Sequence, residues 1–264
     1  MGVAEVFAKA KADGRGVLVG YLPVGFPDVQ GSLDAMRALV DAGVDVFEIG
    51  IPYSDPVMDG PTIQAAAEQA LRGGVRVKDV FKAVEAVTSA GAPALVMTYW
   101  NPVDRYGVSR FAADLAGAGG AGLITPDLIP DEAGDWLAAS DEHGLDRVFL
   151  VAPSSTTARI ASTVAACRGF VYATAVMGVT GARESTSAAA PALVERVRAA
   201  TDLPIGIGLG VSTGAQAAEV AGYADAVIVG SALVRCLLDA PDRASGVRAV
   251  ADLGAQLAQG VRRR

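Results

Sequence analysis

The sequence predicts an α/β protein, a single (β/α)8 TIM barrel over residues 1–264. Three observations predict it. Eight short apolar, β-branched runs alternate with Ala-rich amphipathic stretches along the chain, the pattern of βαβ units building a parallel sheet. The runs are apolar almost without interruption, as strands buried on both faces must be. The chain has 264 residues, close to the roughly 250 that such barrels use. No Pro/Ser-rich linker or break in composition divides it, so one domain is expected. An open doubly wound sheet has the same alternation and is the alternative. The barrel makes the sharper commitment, placing the chemistry at the C-terminal ends of its strands.

In order, an extra helix over 3–12 precedes a first strand at 17–22 and a helix at 32–42. The second strand, 44–49, is followed by two helical patterns, 62–72 and 77–90. Strands at 94–99, 122–125, 147–151, 170–174 and 204–207 are followed by helices at 109–118, 131–142, 156–167, 188–200 and 213–221. The eighth strand, 226–229, leads into two helical segments, 232–238 and 247–259.

Composition removes several classes of chemistry. His143 is the one histidine, so a two-histidine metal site is impossible. Cys167 and Cys236 stand apart with no C-x-x-C, which offers neither a disulfide framework nor a zinc ribbon. Two free cysteines suit a reducing cytoplasm. The net charge of −7 comes without basic blocks beyond Arg262–Arg264, a poor basis for nucleic-acid binding. No apolar run approaches the ~18–20 residues of a transmembrane helix. The first residues carry neither a signal peptide nor a myristoylation signal, position 6 being Val. A cytoplasmic protein is expected. The low charged fraction, 19%, points to a surface covered by a partner.

The second strand carries the first candidate. Side chains alternate along a strand, so Val46, Glu48 and Gly50 share one face and Phe47, Ile49 and Ile51 the other. With the bulky set toward the helices, Glu48 points into the barrel near its top. Desolvation there raises a carboxyl's pKa toward the range where it both gives and takes protons. A buried Glu held by an Arg is the bland alternative. The next loop, dense in Pro, Gly and Asp, brings Asp55 and Asp59 over the strand mouth. Either aspartate alone reads as a turn former. With Glu48 they offer carboxylates in unlike environments, which is how two carboxylates acquire two roles.

Glycine-bearing turns follow strands 6, 7 and 8: Gly178-Val179-Thr180-Gly181, Gly208-Leu209-Gly210-Val211-Ser212 and Gly230-Ser231-Ala232. In a barrel, the loops after strands 7 and 8 and a short helix N-terminus form a phosphate site. Unpaired N–H groups and the helix dipole attract the dianion, and glycine lets the backbone approach it. Neither a G-x-G-x-x-G nor a Walker A motif is present, so nucleotide cofactors are not indicated. His143 lies at a helix C-terminus, Cys167 and Cys236 within helices, and Trp136 on an amphipathic helix; all four read as packing or capping. Tyr21, Tyr99 and Tyr172 lie at or near strand C-termini and suit either a flat apolar ligand or the core.

The run Glu48-Ile49-Gly50-Ile51-Pro52-Tyr53-Ser54-Asp55-Pro56 through Asp59-Gly60-Pro61-Thr62-Ile63-Gln64 resembles the signature of the tryptophan synthase α chain family. Pro126-Asp127-Leu128, the three glycine turns and Asp225-Ala226-Val227-Ile228-Val229-Gly230-Ser231 follow in the family's order. The resemblance implies a lyase that cleaves indole-3-glycerol phosphate to indole and glyceraldehyde 3-phosphate. It implies no cofactor in this chain, and a pyridoxal-phosphate-dependent β chain as partner in an αββα heterotetramer. On the matching positions Glu48 would be the general acid/base and Asp59 the carboxylate that stabilises the indole nitrogen. Tyr172 would be the family's active-site tyrosine, and Tyr21 and Tyr99 would line the indole pocket. Thr180, Gly181, Leu209, Gly210, Gly230 and Ser231 would surround the substrate's phosphate side, and Asp55 and Asp127 would couple to the partner.

Three places depart from the family. Leu209 stands where many members have Phe, residues 173–177 lack a Ser-Arg pair seen in some, and an extra residue lies in 127–131. A free-standing lyase releasing indole without a partner would share the same site. A sugar-phosphate isomerase would keep the glycine turns without needing the second-strand motif. A non-catalytic barrel would not need Glu48 and Asp59.

Overall fold

The structure, a computed structural model, describes residues 2–174 and 189–263. Eight parallel strands close into a barrel in sequence order. They are β1 (Val17–Pro23), β2 (Val46–Gly50), β3 (Ala94–Met97), β4 (Gly122–Thr125), β5 (Asp146–Val151), β6 (Val171–Thr174), β7 (Ile205–Gly208) and β8 (Ala226–Val229). β8 pairs back onto β1, with Gly20 opposite Val229. Among the described residues α1 (Val3–Ala12) precedes the barrel and α2 (Val29–Asp41) follows β1. Pairs follow β2, β3 and β8: α3 (Pro61–Arg72) with α4 (Asp79–Ala90), α5 (Trp100–Tyr106) with α6 (Val108–Gly117), and α11 (Ser231–Leu238) with α12 (Arg243–Val261). Single helices α7 (Gly134–Glu142), α8 (Thr157–Ala166), α9 (Ala189–Arg198) and α10 (Gly214–Ala221) complete the ring.

The expected barrel is present, and its departures from the sequence reading are local. α2 begins at Val29, not at 32, because the Asp28 carboxylate accepts the Gly31 N–H at 2.8 Å and caps the helix early. Asp242 extends α12 forward to Arg243 in the same way, accepting the Ser245 N–H at 2.8 Å. The helix expected over 131–142 starts later, at Gly134, behind a 3-10 turn at Pro130–Glu132. α5 was not foreseen, and the third strand, expected to reach 99, stops at Met97. Seven residues are too few to show a helical period, and the N-terminus of α5 is held from a distance. Asp127, beyond β4, accepts the Trp100 N–H at 2.9 and 3.1 Å. Pro102 falls in the first turn, where its missing N–H costs no helical bond.

Strand alternation divides the core into two shells. Outward residues such as Leu18, Phe47, Ile49, Val96, Phe149 and Val227 pack under the helices. Inward residues Val17, Val19, Val46, Leu95, Ile124, Val148 and Phe170 fill the lumen. The buried face of α1, Val3, Val6, Phe7 and Ala10, recurs at helical spacing and joins the lumen cluster, stoppering the N-terminal end. Phe7 packs on Phe170 with ring centroids 5.6 Å apart. Among the described residues, no helix is long and apolar enough to cross a membrane.

Candidate active site

Above this packed layer the inward positions change character. The β1–β2 register sets Tyr21 beside Glu48, and the β6–β7 register sets Tyr172 beside Gly206. Glu48 is only 1% exposed. It lies on the inward face, as the alternation of β2 requires, and its Oε1 has no hydrogen-bond partner. Burial alone pushes its pKa up to about 8. Near neutral pH such a carboxyl is poised to donate and to accept a proton. No arginine pairs with it among the described residues, so the bland reading of a structural ion pair falls away.

Glu48 borders a cavity of about 110 Å3 at the C-terminal mouth, whose walls include Tyr21, Asp59, Tyr172, Leu209, Gly210 and Ser231. Asp59 enters from the β2–α3 loop, half-buried, its pKa raised by desolvation against the lowering effect of a hydrogen bond from Tyr99. The two carboxylates thus differ as expected. One is dry and unpartnered; the other is nearer water and held. Tyr21 and Tyr172 are pushed well above the ordinary phenol range, first by burial and then by the nearby carboxylates, Glu48 acting on both and Asp59 on Tyr21. Both phenols are therefore neutral donors beside Glu48.

Glycines make the room. A Cβ at Gly50 would lie 2.3 Å from the Tyr21 hydroxyl, and one at Gly208 would lie 2.7 Å from the Tyr172 hydroxyl. Gly210 has φ +82°, a left-handed conformation that a side chain would strain. Gly230 caps α11, so the first N–H groups of that helix, from Ser231 on, open on the cavity wall. That arrangement suits a phosphate dianion. Thr180 and Gly181 lie outside the described residues.

Other expected residues sit elsewhere. Asp55 is exposed and accepts the Ser54 hydroxyl at 2.6 Å; it does not border the cavity, because the loop turns outward before Asp59. Tyr99 lies beyond the end of β3, as the residue before α5, and is not part of the cavity wall. Asp127 is occupied by the Trp100 N–H, knitting the loops after β3 and β4. Met58, Ile63, Met97, Thr174 and Ile228 also border the cavity and were missed. Met97, Thr174 and Ile228 share the inward parity of Leu95, Tyr172 and Ala226, so strand alternation could have found them. Met58 and Ile63, on a loop and an entering helix, carried no such signal. Among the described residues, no group of three or more His, Cys, Asp or Glu is placed to hold a metal.

A family model described as the tryptophan synthase alpha chain matches residues 7–262. The tryptophan synthase alpha chain of Salinispora arenicola is 67% identical over 260 residues, 98% of this chain and 97% of the relative. That of Nocardia farcinica is 63% identical over 260 residues, 98% of this chain and 96% of the relative. A solved structure of tryptophan synthase from Mycobacterium tuberculosis superposes with a TM-score of 0.94 at 62% identity, covering 98% of each chain. The tryptophan synthase alpha subunit of Legionella pneumophila reaches 0.87 at only 30% identity, over 98% of this chain and 97% of that one. A buried unpaired carboxyl and a second carboxylate at a barrel mouth, in a chain matched along nearly its whole length, place this chain in the tryptophan synthase alpha chain family.

Proposed function

We propose that this chain performs the lyase reaction of its family, cleaving indole-3-glycerol phosphate to indole and glyceraldehyde 3-phosphate, with Glu48 and Asp59 as its catalytic pair. The observation that carries the assignment is Glu48, a buried carboxyl with an unpartnered oxygen and a pKa near 8. In its acid form Glu48 protonates indole C3, which places positive charge on the ring nitrogen. As a carboxylate it then takes the proton of the C3′ hydroxyl while the C3–C3′ bond breaks. The bond electrons return to the ring, the aldehyde forms, and Glu48 ends as it began. Asp59 accepts a hydrogen bond from the indole N–H and stabilises the transient charge. Tyr21, Tyr172 and the apolar wall hold the ring. Gly210, Gly230 and Ser231 hold the phosphate through backbone N–H groups, and Thr180 and Gly181, which the family resemblance assigns to the same side, lie outside the described residues.

This chemistry asks for no cofactor in this chain. The partner is a tryptophan synthase β chain carrying pyridoxal phosphate, in an αββα complex in the cytoplasm. Val57, 72% exposed beside Asp55, and Ile129, 41% exposed beside Asp127, support a docking face formed by the loops after β2 and β4. The test is indole release from indole-3-glycerol phosphate with and without a β chain. Glu48→Gln and Asp59→Asn should each lower turnover by about 10²–10⁴-fold. Wild-type rates in either variant sink its assigned role. Turnover unchanged by the β chain, with no complex on gel filtration, favours the free-standing lyase instead.

A further inference from the structure

We infer that Tyr99 is a positioning residue that locks Asp59 in place, rather than part of the indole wall. The inference rests on the proposed role of Asp59. Tyr99 is buried, and it does not line the cavity that Asp59 borders. Its hydroxyl accepts the N–H of Met58, the residue immediately before Asp59, at 3.0 Å, and it counters the upward pull of burial on the Asp59 carboxyl. One hydroxyl therefore holds the loop next to Asp59 and acts on the Asp59 side chain. Nothing else among the described side chains does this for Asp59: Gln64 reaches only its carbonyl, at 2.7 Å.

Tyr99 is itself anchored on three sides. Its ring packs against Tyr53 at 5.3 Å between centroids. Its carbonyl accepts the Thr98 hydroxyl at 3.0 Å. The next N–H, that of Trp100, is bound by Asp127 at 2.9 Å. A carboxylate on a loop is thereby fastened to the barrel wall through α5. Such fixing matters because a charge-stabilising group acts only when held within about half an ångström of its working position. The hydroxyl also opposes desolvation, favouring the charged form of Asp59 beside the substrate nitrogen.

The test is Tyr99→Phe, assayed beside Asp59→Asn with indole-3-glycerol phosphate in the presence of the β chain. The expected result for Tyr99→Phe is a kcat lower by about tenfold and a KM within about twofold of wild type, by the usual signature of a lost transition-state interaction. The acid limb of the kcat–pH profile should move to higher pH, because Asp59 loses the bond that favours its charged form. In an Asp59→Asn background Tyr99→Phe should add little further loss. A raised KM with unchanged kcat and pH profile would return Tyr99 to the indole wall and overturn the inference. An inactive Asp59→Asn beside a Tyr99→Phe of wild-type kcat overturns this inference alone, whereas an active Asp59→Asn overturns the reading of the site. Should Tyr99→Phe fail to fold, Asp127→Asn assayed without the β chain carries the same readout by loosening the start of α5, and an unmoved acid limb there counts against the inference.

Discussion

The two ends of the barrel are built from the same strands with the same alternation, yet they do opposite things. At the N-terminal end most inward positions carry apolar side chains, and α1 closes the lumen with Phe7 against Phe170. Two residues further along the strands, inward positions hold Glu48, Tyr172 and Gly208 around an open space. The lower layer gains stability by filling volume. The upper layer gives stability up, since it buries a carboxyl without a partner and leaves a cavity unfilled. The step between them is one repeat of the pleat, so the functional layer rests directly on a packed one.

The comparison breaks if the lower layer can be emptied without cost. Phe7→Ala removes a ring that is 5% exposed and leaves a void against Phe170. The expected loss of stability is about 3–5 kcal/mol, read as a lower urea midpoint. Turnover per folded molecule, measured cold, should stay close to wild type. A near-neutral midpoint would mean that α1 is not the stopper of the barrel.

The upper layer should behave in the opposite sense at Glu48. Its folded pKa is raised to about 8, well above that of an unfolded Glu, so between those values the folded chain holds the extra proton. That contribution to stability is complete below about pH 4 and is lost as pH rises through about 8. Glu48→Gln removes the charge and hence the loss. The variant should match wild type near pH 5 and exceed it by up to roughly 4 kcal/mol at pH 9, while turnover collapses. Equal stability at both pH values would show that Glu48 is not buried without compensation.

How far this division could be read from the sequence depends on the range of each interaction. The strands and the inward face of Glu48 followed from alternation, which is local and of period two. The helix starts at Val29 and Arg243 depended on Asp28 and Asp242, aspartates whose capping role competes with ordinary turn chemistry. α5 escaped because its N-terminus is fixed by Asp127, far along the chain, and no window of sequence contains both partners. The cavity followed the same rule. Glu48, Tyr21 and Tyr172 were found from their strands. Asp55 and Asp59 looked alike in one loop and were separated only by which way that loop turns. Tyr99 looked like a wall residue until its hydroxyl was placed against Asp59.

The finest test of the two layers uses two glycines on one strand. Gly206 and Gly208 share the inward face of β7, one layer apart. A Cβ at Gly206 would meet Phe170 at 3.0 Å and Ile228 at 3.1 Å, in the packed layer. A Cβ at Gly208 would meet the Tyr172 hydroxyl at 2.7 Å, beside Glu48. Each alanine overfills its site, at a cost on the order of 1–3 kcal/mol. The consequences should then diverge. In Gly206→Ala the displaced groups are apolar, Phe170 in the packed layer and Ile228 at the cavity floor, so stability should fall more than kcat and KM change. In Gly208→Ala the displaced group is Tyr172, on the cavity wall, and its hydroxyl must leave the place it holds next to Glu48. Turnover should drop about tenfold for a catalytic group misplaced by a fraction of an ångström. Thermal melting and indole release on both variants decide the matter. If the two lose turnover equally, packing and chemistry are not separated by one pleat, and the boundary lies lower in the barrel than Gly206.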